Sequence, residues 1–371
     1  MLRKGILARA EDPMKIAAYN AYCGDPMKWF DNEYFRNNGL SSVTFDFFVD
    51  WEKRKIPKRL WTKRIIYRPF SMECDEIYRK IVAVDGRDGL ETLLGFCRQN
   101  QFELEYLLCP DIPADAWADP ENHLFLFNMT KYLERCSGKE VLYEVSANQL
   151  KGIIRGLRRE SHAIGRKGLQ YASSSLEVYL SRDDYIYPGD ADIVLVDENA
   201  KAKAVIEVKK HTIFSEKKYG PVEGETLYHY RDTDKLKFQS LGILKETLGC
   251  PLYMLYYSTV PNREGGIVKM ERIVGSPDRL LAVYPHTLKL PEVNNSHSLK
   301  AFQENFLDYH NEICRYDFDR ICLTSSYGAG TAVSKAAGGN LNYILDARNH
   351  APEKDVVRAF REFVAGHVPG L

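Results

Sequence analysis

Apolar residues recur with two different periods along this chain, and each change of period marks a predicted element. In the first 145 residues, SSVTFDFFVDW and HLFLFNM read as strands, and GLETLLGFCRQN reads as a helix. From Ser146 the period becomes helical. SANQLKGIIRGLRRESHAIGRKG spaces Leu150, Ile153, Ile154 and Leu157 along one helix face, with Ser146 as N-cap. Three short strands are predicted next: LEVYL (176–180), DADIVLVD (190–197) and AVIEVKKH (204–211). The polar stretch ENAKAK separates the last two, which marks an antiparallel hairpin. A helix follows over DTDKLKFQSLGILKETLG, with Asp232 or Thr233 as N-cap and Gly249 as C-cap, and then the apolar strand CPLYMLYYSTV. Beyond it, SLKAFQENFLDYHNEI and PEKDVVRAFREFVAG carry helical periodicity.

This order predicts an α/β fold in three regions. Residues 1–145 form an α+β region suited to recognition or oligomerisation. Residues 146–260 form an α-β-β-β-α-β core with a mixed sheet, and residues 261–371 form a largely helical extension packed on it.

Composition narrows the function. The 371 residues balance 51 Lys and Arg against 51 Asp and Glu. A globally basic nucleic-acid binder is thereby excluded, though a local basic surface is not. No stretch approaches the roughly 18 apolar residues of a membrane span. Glu11 and Asp12 follow the N-terminal apolar residues too closely for a signal peptide. Eight cysteines form no CxxC pair, and most lie in apolar runs; buried free thiols and a cytoplasmic location are expected. The glycine-rich tract SSYGAGTAVSKAAGGN lacks the GxxxxGK[ST] spacing of a phosphate loop and reads as a solvated loop.

The hairpin carries the candidate chemistry. Strand alternation puts Asp190 and Asp192 on one face of the first strand, and Glu207 and Lys209 on one face of the second. With the turn centred between Asn199 and Ala200, opposed residues sum to 399, so Asp192 faces Glu207 and Asp190 faces Lys209. Three carboxylates and an ammonium are then expected together. Paired carboxylates supply hard oxygens for Mg²⁺, with Mn²⁺ as a substitute. Without a cation they repel one another, and charges within apolar strands need a partner.

The stretch YPGDADIVLVDENAKAKAVIEVKK resembles the PD-(D/E)xK signature of restriction-endonuclease-like nucleases, over about a third of the chain. The matching residues are Asp192 and, fifteen positions later, Glu207-Val208-Lys209; the Pro-Asp pair is here spread over Pro188 to Asp192. The resemblance implies that Asp192, Glu207 and the Val208 carbonyl hold Mg²⁺ and that Lys209 positions the attacking water. It further implies an endonuclease acting on DNA, with a homodimer where two strands are cut. Restriction or anti-phage defence is the usual setting of such enzymes. Many relatives add an upstream glutamate, for which Glu177 is the first candidate and Glu160 the second.

Phosphate contacts need clustered cations. The run KRKIPKRLWTKRIIYR, read as a basic loop or edge strand, offers Lys53, Arg54, Lys55, Lys58, Arg59, Lys63 and Arg64; Arg158 and Arg159 lie in a second run. Lys235 and Gln239 are spaced to share a face of the later helix. Competing readings are a transposon-end, junction or RNA nuclease with the same core, an inactive nucleic-acid-binding module, and a nucleotide-binding protein using the 325–340 loop.

Overall fold

A computed structural model describes residues 1–4, 8–9, 27–30, 33–49, 59–67, 71–136, 138–156, 171–182, 188–211, 225, 227, 235–258, 267–275, 277, 280–289 and 296–315. The architecture is α/β, and the chain divides into two compact units. Each combines two stretches: Met1–Asn20 with Gly39–Lys203, and Ala21–Asn38 with Ala204–Leu371.

The first unit contains strands β1 (Leu2–Lys4), β2 (Ala8–Arg9), β3 (Leu40–Phe45), β4 (Phe47–Val49), β5 (Arg59–Ile66), β6 (Glu103–Pro110), β7 (His123–Asn128), β8 (Leu142–Ser146), β9 (Tyr171–Ala172) and β10 (Ala191–Asp197). In its main sheet β5 runs parallel to β6, and β7 and β8 continue antiparallel. β1 and β4 share the other side of β5. The basic run therefore ends in an interior strand, not in a loop or edge. Between the stretches paired to β4 and β1, the Lys63 N–H donates to the Asp46 carboxylate at 2.5 Å.

Ser146 begins the next helix as its sequence foretells. It exchanges hydrogen bonds with Gln149, a reciprocal cap that starts Ala147–Gly156 and turns Leu150 and Ile154 into the core. LEVYL behaves differently. It is a helix, Ser175–Leu180, and not a strand. Ser174 caps it by accepting the Glu177 N–H, and the Glu177 carboxylate turns back to the Ser173 N–H at 2.7 Å. This Ser-x-x-Glu cap outweighs the strand-like alternation of Leu176, Val178 and Leu180, all three of which are buried.

The β10 strand instead pairs antiparallel with β3, more than 140 residues earlier. Its register with β3 slips between Ala191 and Val194, so Asp192 lies in a β-bulge. A tight turn follows. The Asp197 carbonyl accepts the Ala200 N–H, the Asp197 N–H donates to the Lys201 carbonyl, and Ala200 takes a left-handed φ of 59°. The Asp197 carboxylate also accepts the Asn199 and Lys201 N–H groups. Asp197 thus opposes Lys201, a sum of 398 rather than 399 at the turn. Asn199 itself, the more usual left-handed residue, is not the one in that conformation.

Beyond the turn, β11 (Ala202–His211) carries the chain into the second unit. Helix Lys235–Leu248 leads from it to β12 (Leu252–Ser258), which lies parallel to β11, and β13 (Ile267–Val274) and β14 (Leu281–Lys289) add antiparallel strands. This helix ends where expected, at Gly249, whose φ of 61° and N–H to Lys245 close it. Gly242 lets it approach Pro277: a Cβ there would lie 2.7 Å from the proline Cα. The helix Ser296–Arg315 sends Phe302 and Phe306 against Trp29, Phe30 and Phe35 of the short early helices Met27–Phe30 and Glu33–Asn37.

The 325–340 loop and the expected final helix lie outside the described residues. Among the described residues, no helix is long and apolar enough to cross a membrane. Cys97 and Cys109 are buried free thiols and Cys250 is buried, while Cys74 and Cys136 are partly exposed.

Candidate active site

The second unit assembles a polar stripe on one face of its sheet. In register, Glu207 aligns with Met254 and Met254 with Glu271; Lys209 aligns with Tyr256 and Tyr256 with Lys269. In-register neighbours share a face, and so do residues two apart on one strand. The six side chains therefore lie on one face.

Glu207 anchors the first half of the stripe. Its side chain is 1% exposed, and Lys209 Nζ lies 3.2 Å from its Oε1. Lys237 Nζ, from the first turn of the helix Lys235–Leu248, lies 2.5 Å from the same oxygen. Lys209 also sits over the Phe238 ring, 5.6 Å from its centroid, which restrains its aliphatic stem beside the carboxylate. Both lysine side chains keep 15% exposure. A buried carboxylate is costly unless charges and donors compensate it, and here two ammoniums do so.

Glu271 anchors the second half and is fully buried. Its Oε2 accepts the Tyr256 hydroxyl at 2.8 Å and the Leu227 N–H at 3.0 Å, and Lys269 Nζ lies 3.0 Å from Oε1. Lys269 also donates to the Glu225 carbonyl. This half fastens the Glu225 carbonyl and the Leu227 N–H to the sheet. The sequence carries a signal of this half: Lys269 and Glu271 are charges at alternate positions of the apolar run IVKMERIV.

Glu207 and Lys209 lie together as strand alternation predicts, and Asp192 lies half-buried in the β10 bulge of the first unit. Lys237 is a further member of the Glu207 cluster. Gln239, spaced to share a helix face with Lys235, lies two residues on and about 200° around the helix from Lys237.

The Glu177 carboxylate is engaged elsewhere in the first unit. It lies 3.0 Å from Lys63 Nζ and accepts the Ser173 N–H and hydroxyl. Burial works to raise its pKa, but the Lys63 charge and the Ser173 donors prevail and hold it below the usual carboxylate value. Lys63 is correspondingly raised: burial opposes the charge, and Glu177 and Asp46 more than offset that.

Lys63 is therefore not a surface cation for phosphate, being only 2% exposed. Arg64 is also withdrawn. Its Nη2 lies 2.6 Å from Asp85, and its guanidinium lies over Tyr106. Arg59 lies over Trp61 and 3.6 Å from the buried Glu105. An interior strand can hold these charges only by pairing them, which removes them from the expected basic surface. Lys53, Arg54, Lys55, Lys58, Arg158, Arg159 and Glu160 lie outside the described residues.

Among the described residues, no group of three or more His, Cys, Asp or Glu side chains gathers to hold a metal ion. The expected cluster of three carboxylates is thus not formed there. Mg²⁺ needs no such cage, since one or two carboxylates with water and phosphate oxygens suffice. Glu207 and the Val208 carbonyl are hard oxygen donors of the right kind. No family model matches this chain, and neither the curated proteins nor the solved structures include a match.

Proposed function

We propose that this chain is a Mg²⁺-dependent endonuclease of the PD-(D/E)xK type that hydrolyses DNA phosphodiester bonds. The observation that carries the proposal is Glu207, a nearly inaccessible mid-strand carboxylate with Lys209 Nζ 3.2 Å away. The motif spacing to Asp192, the bulge that holds it, and the β11–helix–β12 crossover with parallel strands support the same reading.

On this reading, Glu207, the Val208 carbonyl and, by the motif, Asp192 hold Mg²⁺. When bound, the ion polarises a phosphoryl oxygen and acidifies water. Lys209 donates to the attacking water and offsets charge developing on the phosphorus. The bulge re-aims Asp192 relative to the regular strand. The 3′-hydroxyl and 5′-phosphate products, a homodimer that cuts both strands and a cytoplasmic defence role belong to the same proposal. The two ammoniums on Glu207 favour one alternative, a binding module whose carboxylate is permanently neutralised.

Cleavage of duplex, branched and single-stranded DNA and of RNA, with Mg²⁺ or Mn²⁺, separates these readings. The parent should cut DNA, and Asp192→Asn, Glu207→Gln and Lys209→Met should each lower the rate by about a hundredfold to a thousandfold. Cleavage of RNA alone would redirect the substrate assignment. No metal-dependent cleavage by the parent, or equal rates in all variants, would sink the enzyme reading.

A further inference from the structure

Lys237 stands closer to Glu207 Oε1 than the motif lysine does, at 2.5 Å against 3.2 Å for Lys209. Its position is electrostatically unusual. It lies in the first turn of its helix, where the macrodipole disfavours cations, and that turn contains no acidic residue. The macrodipole does not favour a lysine here, whereas Glu207 gains a counter-ion.

A Mg²⁺ or Mn²⁺ ion sits about 2.1 Å from a ligating oxygen. An ammonium nitrogen 2.5 Å from Oε1 competes with such an ion for that oxygen, and the two cations repel each other. Glu207 is 1% exposed and fixed in a central strand, whereas Lys237 retains 15% exposure and sits on a flexible stem. The lysine is the partner able to leave.

We propose that Lys237 is an exchangeable counter-ion: it neutralises Glu207 while the site is metal-free and swings to solvent when a divalent cation binds. This inference rests on the Mg²⁺ reading above and adds a residue that opposes metal loading. Its role is to position and protect a carboxylate, not to touch the scissile phosphate. Without Lys237 or a metal, burial of the Glu207 carboxylate would be less well compensated.

The test is Mn²⁺ binding to the full chain without nucleic acid, read by electron paramagnetic resonance of the free ion. Lys237→Gln should bind Mn²⁺ about tenfold more tightly than the parent, the scale on which one neighbouring charge shifts a carboxylate's proton affinity. Lys237→Arg, which keeps the charge, should stay near the parent. Glu207→Gln should weaken binding in every background.

Binding that depends on Glu207 but is unchanged or weaker in Lys237→Gln would overturn the Lys237 role and leave the metal reading standing. Binding insensitive to Glu207→Gln, or absent from the parent, would overturn both. A measurement on the parent alone guards against misfolded variants. Saturating Mn²⁺ should increase acetylation of Lys237 by an amine-reactive ester, quantified by peptide mass spectrometry, by several-fold. No increase would count against the exchange.

Discussion

The Lys63 ammonium lies 3.0 Å from the Glu177 carboxylate, 3.4 Å from Asp46 and 2.7 Å from the Ser173 hydroxyl, enclosed within the first unit. A lysine from the basic run and the first candidate for the upstream glutamate thus neutralise each other. Lys63→Met should destabilise the chain by about 3–5 kcal/mol in urea unfolding, because two carboxylates lose their shared ammonium. Glu177→Gln should lower stability by less and leave Mn²⁺ affinity unchanged. A large loss of Mn²⁺ binding in that variant would instead return Glu177 to the metal site.

The same pair gives stability a pH signature. Glu177 is lowered in the folded state, so its contribution is present above its ordinary pKa near 4.5 and disappears as pH falls through the folded value. Lys63 is raised, so its contribution is full below its ordinary 10.5 and disappears as pH rises through the folded value. Melting temperature should hold a plateau between about pH 5 and 10 for this pair. Glu177→Gln should flatten the acid limb specifically.

The close approach of Gly242 to Pro277 predicts that Gly242→Ala is destabilising despite alanine's better helix propensity. An added methyl 2.7 Å from a backbone carbon forces the helix away, at a cost of about 1–3 kcal/mol. Thermal unfolding measures it. Gly152, also helical but with open space around it, provides the control, and its replacement by alanine should be neutral or stabilising.

Cysteine reactivity should follow burial. Cys97 and Cys109 are pushed up to about 12 by burial, so neither forms a thiolate near neutral pH. Aromatic disulfide reagents at pH 8 should spare both until the protein unfolds, whereas Cys136 should react in the folded state. Peptide mapping after timed labelling distinguishes them.

Local signals were legible in the sequence where neighbouring residues decide the outcome. Ser146 with Gln149, and Gly249, each act within a few residues, and their helices begin and end as the sequence foretells; a turn also forms at Asp197, but with its register one residue from the expected one. The pairing of Glu207 with Lys209 needs only strand alternation and was equally accessible. LEVYL misleads because a hydrophobic alternation and a Ser-x-x-Glu cap overlap, and the cap prevails. Partners distant in sequence were beyond reach. Nothing in 190–197 names Leu40–Phe45 as its neighbour, and nothing in KRLWTKRII reveals that strands flank it on both sides. Lys237 escaped for a related reason: the rotational phase of a helix is fixed by packing, which no local pattern around Lys235 and Gln239 specifies.

The Gln303 amide donates to the Trp29 carbonyl across 274 residues, where Phe30 and Phe35 meet Phe302 and Phe306. At synthesis rates of about 5–20 residues per second, roughly 14–55 s separate the emergence of these partners from the ribosome. During that interval Trp29, Phe30 and Phe35 lack the surface that buries them in the finished unit. A chaperone or a stretch of slow translation has its natural point of action there. Deleting residues 21–38 would leave the aromatic face of the late helix in the same exposed condition permanently.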